Sequence, residues 1–265
     1  MAVAGIIGIV DINADLGESF GHWRLGDDEA LVQHLTSANL ACGFHAGDFR
    51  VMERSVALCA SAGVAVGAQP GYPDLLGFGR RPMPFTPDEV EQLVRYQIGA
   101  LEAFCRAHGM ELQHVKPHGA LYNQAAADAA LANAIARAVA RFSPDLALLG
   151  LAGSGPFADA AADNGLRFVP EAFADRRYLA DGTLQPRSEP DSVIVEPARA
   201  AAQAVAIACD GRVPAVDGTQ VDVYAESLCV HGDTPGAPTI AAAVRRALAE
   251  RGVTVAAFGG GASAA

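Results

Sequence analysis

Seven times along the chain, a short β-rich apolar run is followed by an Ala/Leu-rich stretch with helical patterning. The runs lie near 6–12, 38–43, 64–68, 113–116, 146–151, 166–170 and 226–230; the helical patterns lie near 27–36, 51–62, 87–108, 125–141, 155–164, 197–209 and 237–251. Repeated β-then-α units imply parallel strands joined by right-handed crossovers. Runs such as Leu146–Leu151 lack polar alternation, as expected of strands covered on both faces. A closed barrel and an open doubly wound sheet both satisfy the pattern. Polar residues, however, follow strand after strand around the whole chain, whereas an open sheet gathers its site at one switch point. The reading is therefore an α/β fold, a (β/α)7-like barrel of mostly parallel strands. The 265 residues suffice for one such barrel, which needs about 250. Residues 1–258 are taken as a single catalytic barrel domain and 259–265 as a flexible tail.

Local signals agree with this. Thr86-Pro87-Asp88-Glu89 is a capping box with proline in the first helical turn. Gly63, Gly109, Gly165 and Gly252 each follow a helical run, where a left-handed C-terminal residue belongs.

Composition removes several function classes. No stretch of roughly 18 apolar residues is present, so no membrane span is expected. The first residues carry no basic segment, and a cleaved signal peptide is not expected. Cys42, Cys59, Cys105, Cys209 and Cys229 are scattered, odd in number and without a CxxC pair, a pattern that suits reduced thiols in a cytoplasmic protein. A net charge of −11 argues against a nucleic-acid partner.

The candidate chemistry sits at strand ends. Asp11, Asn13 and Asp15, followed by Glu18, put carboxylates on one side of the first strand's extended end. After the second strand, Asn39 leads to Gly43 and Gly47 flanking His45, where bare backbone can approach a ligand. Asp48 is read as the cap of the next helix. In the fourth unit His114, Lys116 and His118 share a face: Lys116 suits a phosphate or carboxylate, His118 an acid/base or ligand role, and His114, at the strand's start, a structural role. The loop after the sixth strand carries Glu171, Asp175, Arg176 and, further on, Arg187, an arrangement suited to anion recognition. His231-Gly232-Asp233 ends the last strand as a histidine with a carboxylate nearby to orient it. Asp15, His45 and His118 could together hold a metal. Gly17-Glu18-Ser19-Phe20-Gly21 matches a nucleophile elbow, but no helix starts directly after it, which counts against a serine hydrolase. P-loop and dinucleotide glycine motifs are absent, as is HExxH.

On these residues the chain resembles the LamB/YcsF family, the A subunits of prokaryotic 5-oxoprolinase. The resemblance rests on DINADLGE, SANLACGFHAGD, VKPHGALYNQAA, EAFADRRY with GTLQPRS, and VHGD, and spans nearly the whole chain. It implies a barrel of the glycoside hydrolase/deacetylase type and ATP-dependent opening of 5-oxo-L-proline to L-glutamate, carried out with two partner subunits, B and C. It implies ATP, and Mg²⁺ with it, and puts Asp15, His45, Lys116, His118, Glu171, Asp175, Arg176 and His231 near substrate or nucleotide; Asn13, Glu18, Asn39, Gly43, Gln69, Asn123, Arg187 and Asp233 are taken as further substrate- or nucleotide-binding residues. The family usually has histidine at position 69, where this chain has glutamine, which cannot carry a proton at neutral pH. The runner-up is a metal-dependent deacetylase or amidohydrolase holding a transition metal, and self-association is left open.

Overall fold

The computed structural model describes residues 8–259, and the expected tail lies, from residue 260 onward, outside the described residues. Seven parallel strands close on themselves: β1 (Ile9–Leu16), β2 (Ser37–Ala41), β3 (Ala65–Gln69), β4 (Leu112–Val115), β5 (Ala147–Leu151), β6 (Arg167–Phe173) and β9 (Ser227–Val230). The ring shuts where β9 pairs with both β6 and β1. A short β10 (Thr254–Val255) adds to the start of β1. Between β6 and β9 the chain inserts an antiparallel hairpin, β7 (Arg212–Pro214) and β8 (Gln220–Asp222).

Eight helices are present among the described residues: α1 (Asp28–Leu31), α2 (Phe49–Ala62), α3 (Pro87–Ala107), α4 (Gly119–Ala125), α5 (Ala129–Phe142), α6 (Gly155–Asp163), α7 (Pro197–Val205) and α8 (Ala237–Glu250). None is long and apolar enough to cross a membrane. Each of the larger ones turns an apolar stripe inward. Ile240, Val244 and Leu248 of α8 are fully buried, and burying such a side chain is worth about 1.5–3 kcal/mol. The caps form as read: Thr86 and Glu89 complete the capping box, and the Asp48 side chain accepts from the Arg50 and Val51 N–H groups.

Some boundaries depart from the sequence reading. The first strand runs on to Leu16, because its alternating polar residues point into the barrel and β2 and β9 pair with it. The helix expected over 27–36 is one α-turn followed by a 3-10 turn, since Thr36 must already be extended to enter β2. The pattern over 125–141 belongs to two helices, because Asp128 caps α5 and ends any continuity with α4. Over 206–210 the helix begun by α7 widens to a π turn closed by Gly211.

Candidate active site

Inside the barrel, alternate residues of the strands make stacked polar layers rather than an all-aliphatic plug. In the lowest layer Asp11 accepts hydrogen bonds from Ser37, Thr36 and Ser227. Burial pushes its carboxyl up to about 6, against the pull of those donors. In the next layer the Asn13 amide donates to Glu171 and to Ser227, and Asn39 donates to Asn13 and to Asp15. His114 Nε2 lies 2.8 Å from Asn39 Oδ1, so this histidine belongs to the frame, as expected. Burial lowers its pKa to about 3 and keeps it neutral.

Above these layers lies Lys116. Its Nζ is 2.7 Å from Glu171 Oε1 and 3.2 Å from Asp15 Oδ1, and all three side chains are buried. Burial alone would discharge the lysine and protonate Asp15. Their mutual attraction wins: Lys116 is held well above, and Asp15 below, the ordinary value. Tyr122 reaches down from α4, one turn beyond His118, and donates to Glu171 Oε2 at 3.0 Å. Lys116 thus meets its anions within the protein.

A cavity of about 840 Å³ opens over this lysine. Asp15, Gln69, Lys116, His118, Asn123, Arg176, Arg187 and His231 line it, joined by Arg80, Tyr122, Phe173 and the Gly153–Pro156 turn that starts α6. The segment 181–188 and Val221–Val223 at β8 supply the remaining wall. The other expected residues support it from behind. Asn13 and Asn39 are interior frame, and Glu171 grips Lys116 from below the cavity. Gly43 takes a positive φ in the turn after β2 and does not line the cavity. Of its neighbours, Gly47 has the structural duty: a Cβ there would lie 2.7 and 2.8 Å from the Ala41 and Gly17 carbonyl oxygens. The close approach expected for a ligand is made to the chain's own backbone.

Asp175 and Asp233 exchange the roles given to them. Asp233, two residues from His231, pairs with Arg80 at 2.6 Å and lies 3.4 Å from Arg187. The carboxylate that orients His231 is buried Asp175, which binds the ring at Nδ1, the His231 backbone N–H and the Thr234 hydroxyl. Asp175 therefore faces no ligand. Arg176 also differs from expectation: its guanidinium donates to the Ser192 and Gln185 carbonyls and ties the 177–192 excursion to the barrel while still lining the cavity. Ser19, of the elbow-like motif, is hydrogen-bonded to Leu25 in a loop, and the next helix, α1, starts only at Asp28.

At one side of the mouth His45 and His118 stack face to face, with centroids 3.8 Å apart and planes 4° from parallel. Burial lowers both pKa values, that of His118 to about 4. Gly79 makes the stack possible: its φ is +66°, and a Cβ would fall 2.8 Å from His45 Cβ and 3.0 Å from the His118 ring. Glu18 faces His118 at 3.7 Å. The geometric ligand group is thus Glu18, His45 and His118. Asp15, expected in that group, is instead committed to Lys116 and Asn39.

The signals for Arg80 and Tyr122 were present in the sequence, the first in a paired arginine and the second four residues after His118 on one helical face. The Gly153–Pro156 turn carried no polar signal beyond Ser154, whose hydroxyl caps α6.

A profile of the LamB/YcsF family matches residues 10–262. The 5-oxoprolinase A subunit of Methylococcus capsulatus is 56% identical over 251 residues, which is 95% of this chain and 96% of that protein. The protein of the same name from Symbiobacterium thermophilum is 55% identical over 258 residues, covering 97% and 98%. Among solved structures, the lactam utilization protein of Thermus thermophilus matches with a TM-score of 0.88 at 51% identity, over 94% of this chain and 99% of that one.

Proposed function

The chain belongs to the LamB/YcsF family, and from that premise we propose that it is the A subunit of a 5-oxoprolinase, opening 5-oxo-L-proline to L-glutamate with ATP and two partner subunits. The observation that carries the reading is one cavity in which His231, oriented by Asp175, faces three arginines: Arg80, Arg176 and Arg187. In a chain of net charge −11, a cavity lined by three arginines suits an anion.

A five-membered lactam is a stable amide, so its opening gains from activation of the ring carbonyl. Transfer of the γ-phosphoryl group of ATP, bound with Mg²⁺, to the ring carbonyl oxygen would make the ring carbon electrophilic. Water then adds there, and the C–N bond breaks as the ring nitrogen takes a proton and leaves as the amine. A second water releases phosphate from the resulting acyl phosphate to give glutamate. The chain's own residues do the rest. Arg80 and Arg187 stand at the rim to spread phosphate charge, with Asp233 holding both in place. His231 takes a proton from the attacking water at Nε2, because Nδ1–H is committed to Asp175. Lys116, held charged by Asp15 and Glu171, closes the cavity floor as a buried ion-pair network that fixes the Asp15 carboxylate in place. Asp15 spends Oδ1 on Lys116 and Asn39, and its second oxygen, Oδ2, would be the cavity-lining donor suited to a magnesium ion.

The test is formation of glutamate and ADP from 5-oxoproline by the purified chain, alone and with its partner subunits. Stoichiometric ADP and glutamate in the reconstituted complex are expected. Glutamate formed equally without ATP would overturn the reading in favour of a metal-dependent amidohydrolase; no ATP turnover in any combination would overturn it outright.

A further inference from the structure

We infer that Glu18, His45 and His118 bind one divalent transition-metal ion of the zinc class at one side of the cavity mouth. One ligand atom from each residue lies within 4.8 Å of the other two. The Glu18 Oε1 to His118 Nδ1 distance is 3.7 Å, close to the roughly 3.4 Å between two donors on a tetrahedral ion with bonds of about 2.0–2.1 Å. The three side chains come from the loops after β1, β2 and β4, so the barrel itself sets their spacing.

Hydrogen bonding fixes the tautomer that a metal needs. The Phe78 carbonyl, 2.9 Å from His118 Nε2, can only accept, so the N–H sits on Nε2. The lone pair is then on Nδ1, the nitrogen that faces Glu18. Handing the second ring N–H to a backbone carbonyl is how ligating histidines are commonly oriented.

Unmet polar atoms mark the same spot. Buried His45 has no hydrogen bond at either ring nitrogen, and Glu18 Oε1 has none either. Gln69 stands beside His45 without completing a bond, and its own carboxamide is unpartnered. Buried groups of this kind are nearly always satisfied. One cation takes the Glu18 oxygen and the His118 Nδ1 lone pair, and His45, which lies flat on His118 with the planes 4° from parallel, turns out of that stack to bring the lone pair of one ring nitrogen onto the ion.

Two imidazoles and one carboxylate suit zinc, cobalt or nickel rather than magnesium, which prefers six oxygens. The site is therefore separate from any magnesium that accompanies ATP. Three protein ligands leave one position for water or a substrate oxygen, and the cavity-lining Gln69 and His118 put it within reach of the cavity. The inference goes beyond the lactam reading and stands on ligand geometry.

The experiment strips the purified full-length chain of metal and titrates it with Co²⁺ and Zn²⁺. One equivalent per chain is expected, with visible cobalt d–d bands. Binding should weaken in Glu18→Gln and in His118→Ala by at least the roughly 10–100-fold that losing even a supporting group costs. Cys209→Ser, the half-exposed thiol, should bind as the parent does. X-ray absorption of the zinc-loaded parent, which needs no variant to fold, should give nitrogen and oxygen neighbours with an imidazole signature. Substoichiometric binding, a sulfur neighbour, or full affinity in both ligand variants overturns the site. Since no turnover is read, failure here leaves the lactam reading intact, and the reverse holds too.

Discussion

His231 and Asp175 are joined at two points: the ring Nδ1 lies 2.8 Å from one carboxylate oxygen, and the His231 backbone N–H donates to the other at 2.9 Å. The residues are 56 apart in sequence, and closure of β9 against β6 brings them together. A carboxylate only accepts, so the ring proton is fixed at Nδ1 and Nε2 keeps its lone pair.

That geometry makes the first prediction. Asp175→Asn removes the charge and allows the ring to take the other tautomer, with Nε2 protonated. We expect kcat for 5-oxoproline-dependent glutamate formation to fall by about 10²–10⁴-fold, with KM little changed. Steady-state kinetics of the reconstituted complex reads this directly, and an unchanged kcat would remove His231 from the role of base.

Lys116→Met should unbalance the barrel interior. Two buried carboxylates, Asp15 and Glu171, lose their counter-charge, and breaking a buried pair from one side costs about 3–5 kcal/mol. Adding Glu171→Gln should return part of the loss. Urea unfolding of the two single variants and the double variant measures the coupling; strictly additive losses would mean that the pair is not linked.

Acid should destabilise the fold through its buried histidines. His114 is neutral in the native state down to about pH 3, while the unfolded chain takes up that proton near 6.5. Between those values the unfolded state binds more protons, so stability falls as pH drops, by roughly 1 kcal/mol per pH unit for such a group. Asp11 opposes this trend: its carboxyl is raised to about 6, so its contribution is present at low pH and fades as pH rises through that value. His114→Gln should flatten the stability–pH curve below 6.5. Chemical denaturation at a series of pH values tests this, and an identical slope would count against a neutral native His114.

At the rim, Arg187→Ala should raise the KM for ATP more than that for 5-oxoproline while leaving stability within about 1 kcal/mol. The side chain is 26% exposed and its ion pair with Asp233 is loose at 3.4 Å, so little of the fold depends on it. Equal effects on both substrates would place the arginine away from the phosphates.

The strands of the barrel could be read from the sequence because burial on both faces leaves apolar runs, and because polar groups gather where strands end at the mouth. His118, His231, Lys116 and Arg187 reach the cavity for that reason. What escaped reading was pairing across space. His231 has Asp233 two residues away, yet the register of β6 against β9 delivers Asp175 to it instead. Asp15 and Glu18 are three residues apart and equally acidic, but only the turn at Leu16–Gly17 separates the one bound to Lys116 from the one facing His118. The β7–β8 hairpin escaped because strands of three residues leave no pattern long enough to recognise.

The β7–β8 hairpin and the 177–192 excursion share one topological property: both are inserted between β6 and β9. The ring pairs β6 directly with β9, so its hydrogen bonding does not pass through either insertion. Yet these two segments supply Thr183, Leu184, Arg187 and Val221–Val223 to the cavity wall. Changes of length or sequence there can alter which ligand fits without disturbing the strands that hold Lys116 and His231. The fold thus separates the part that evolution can revise from the part that it must keep.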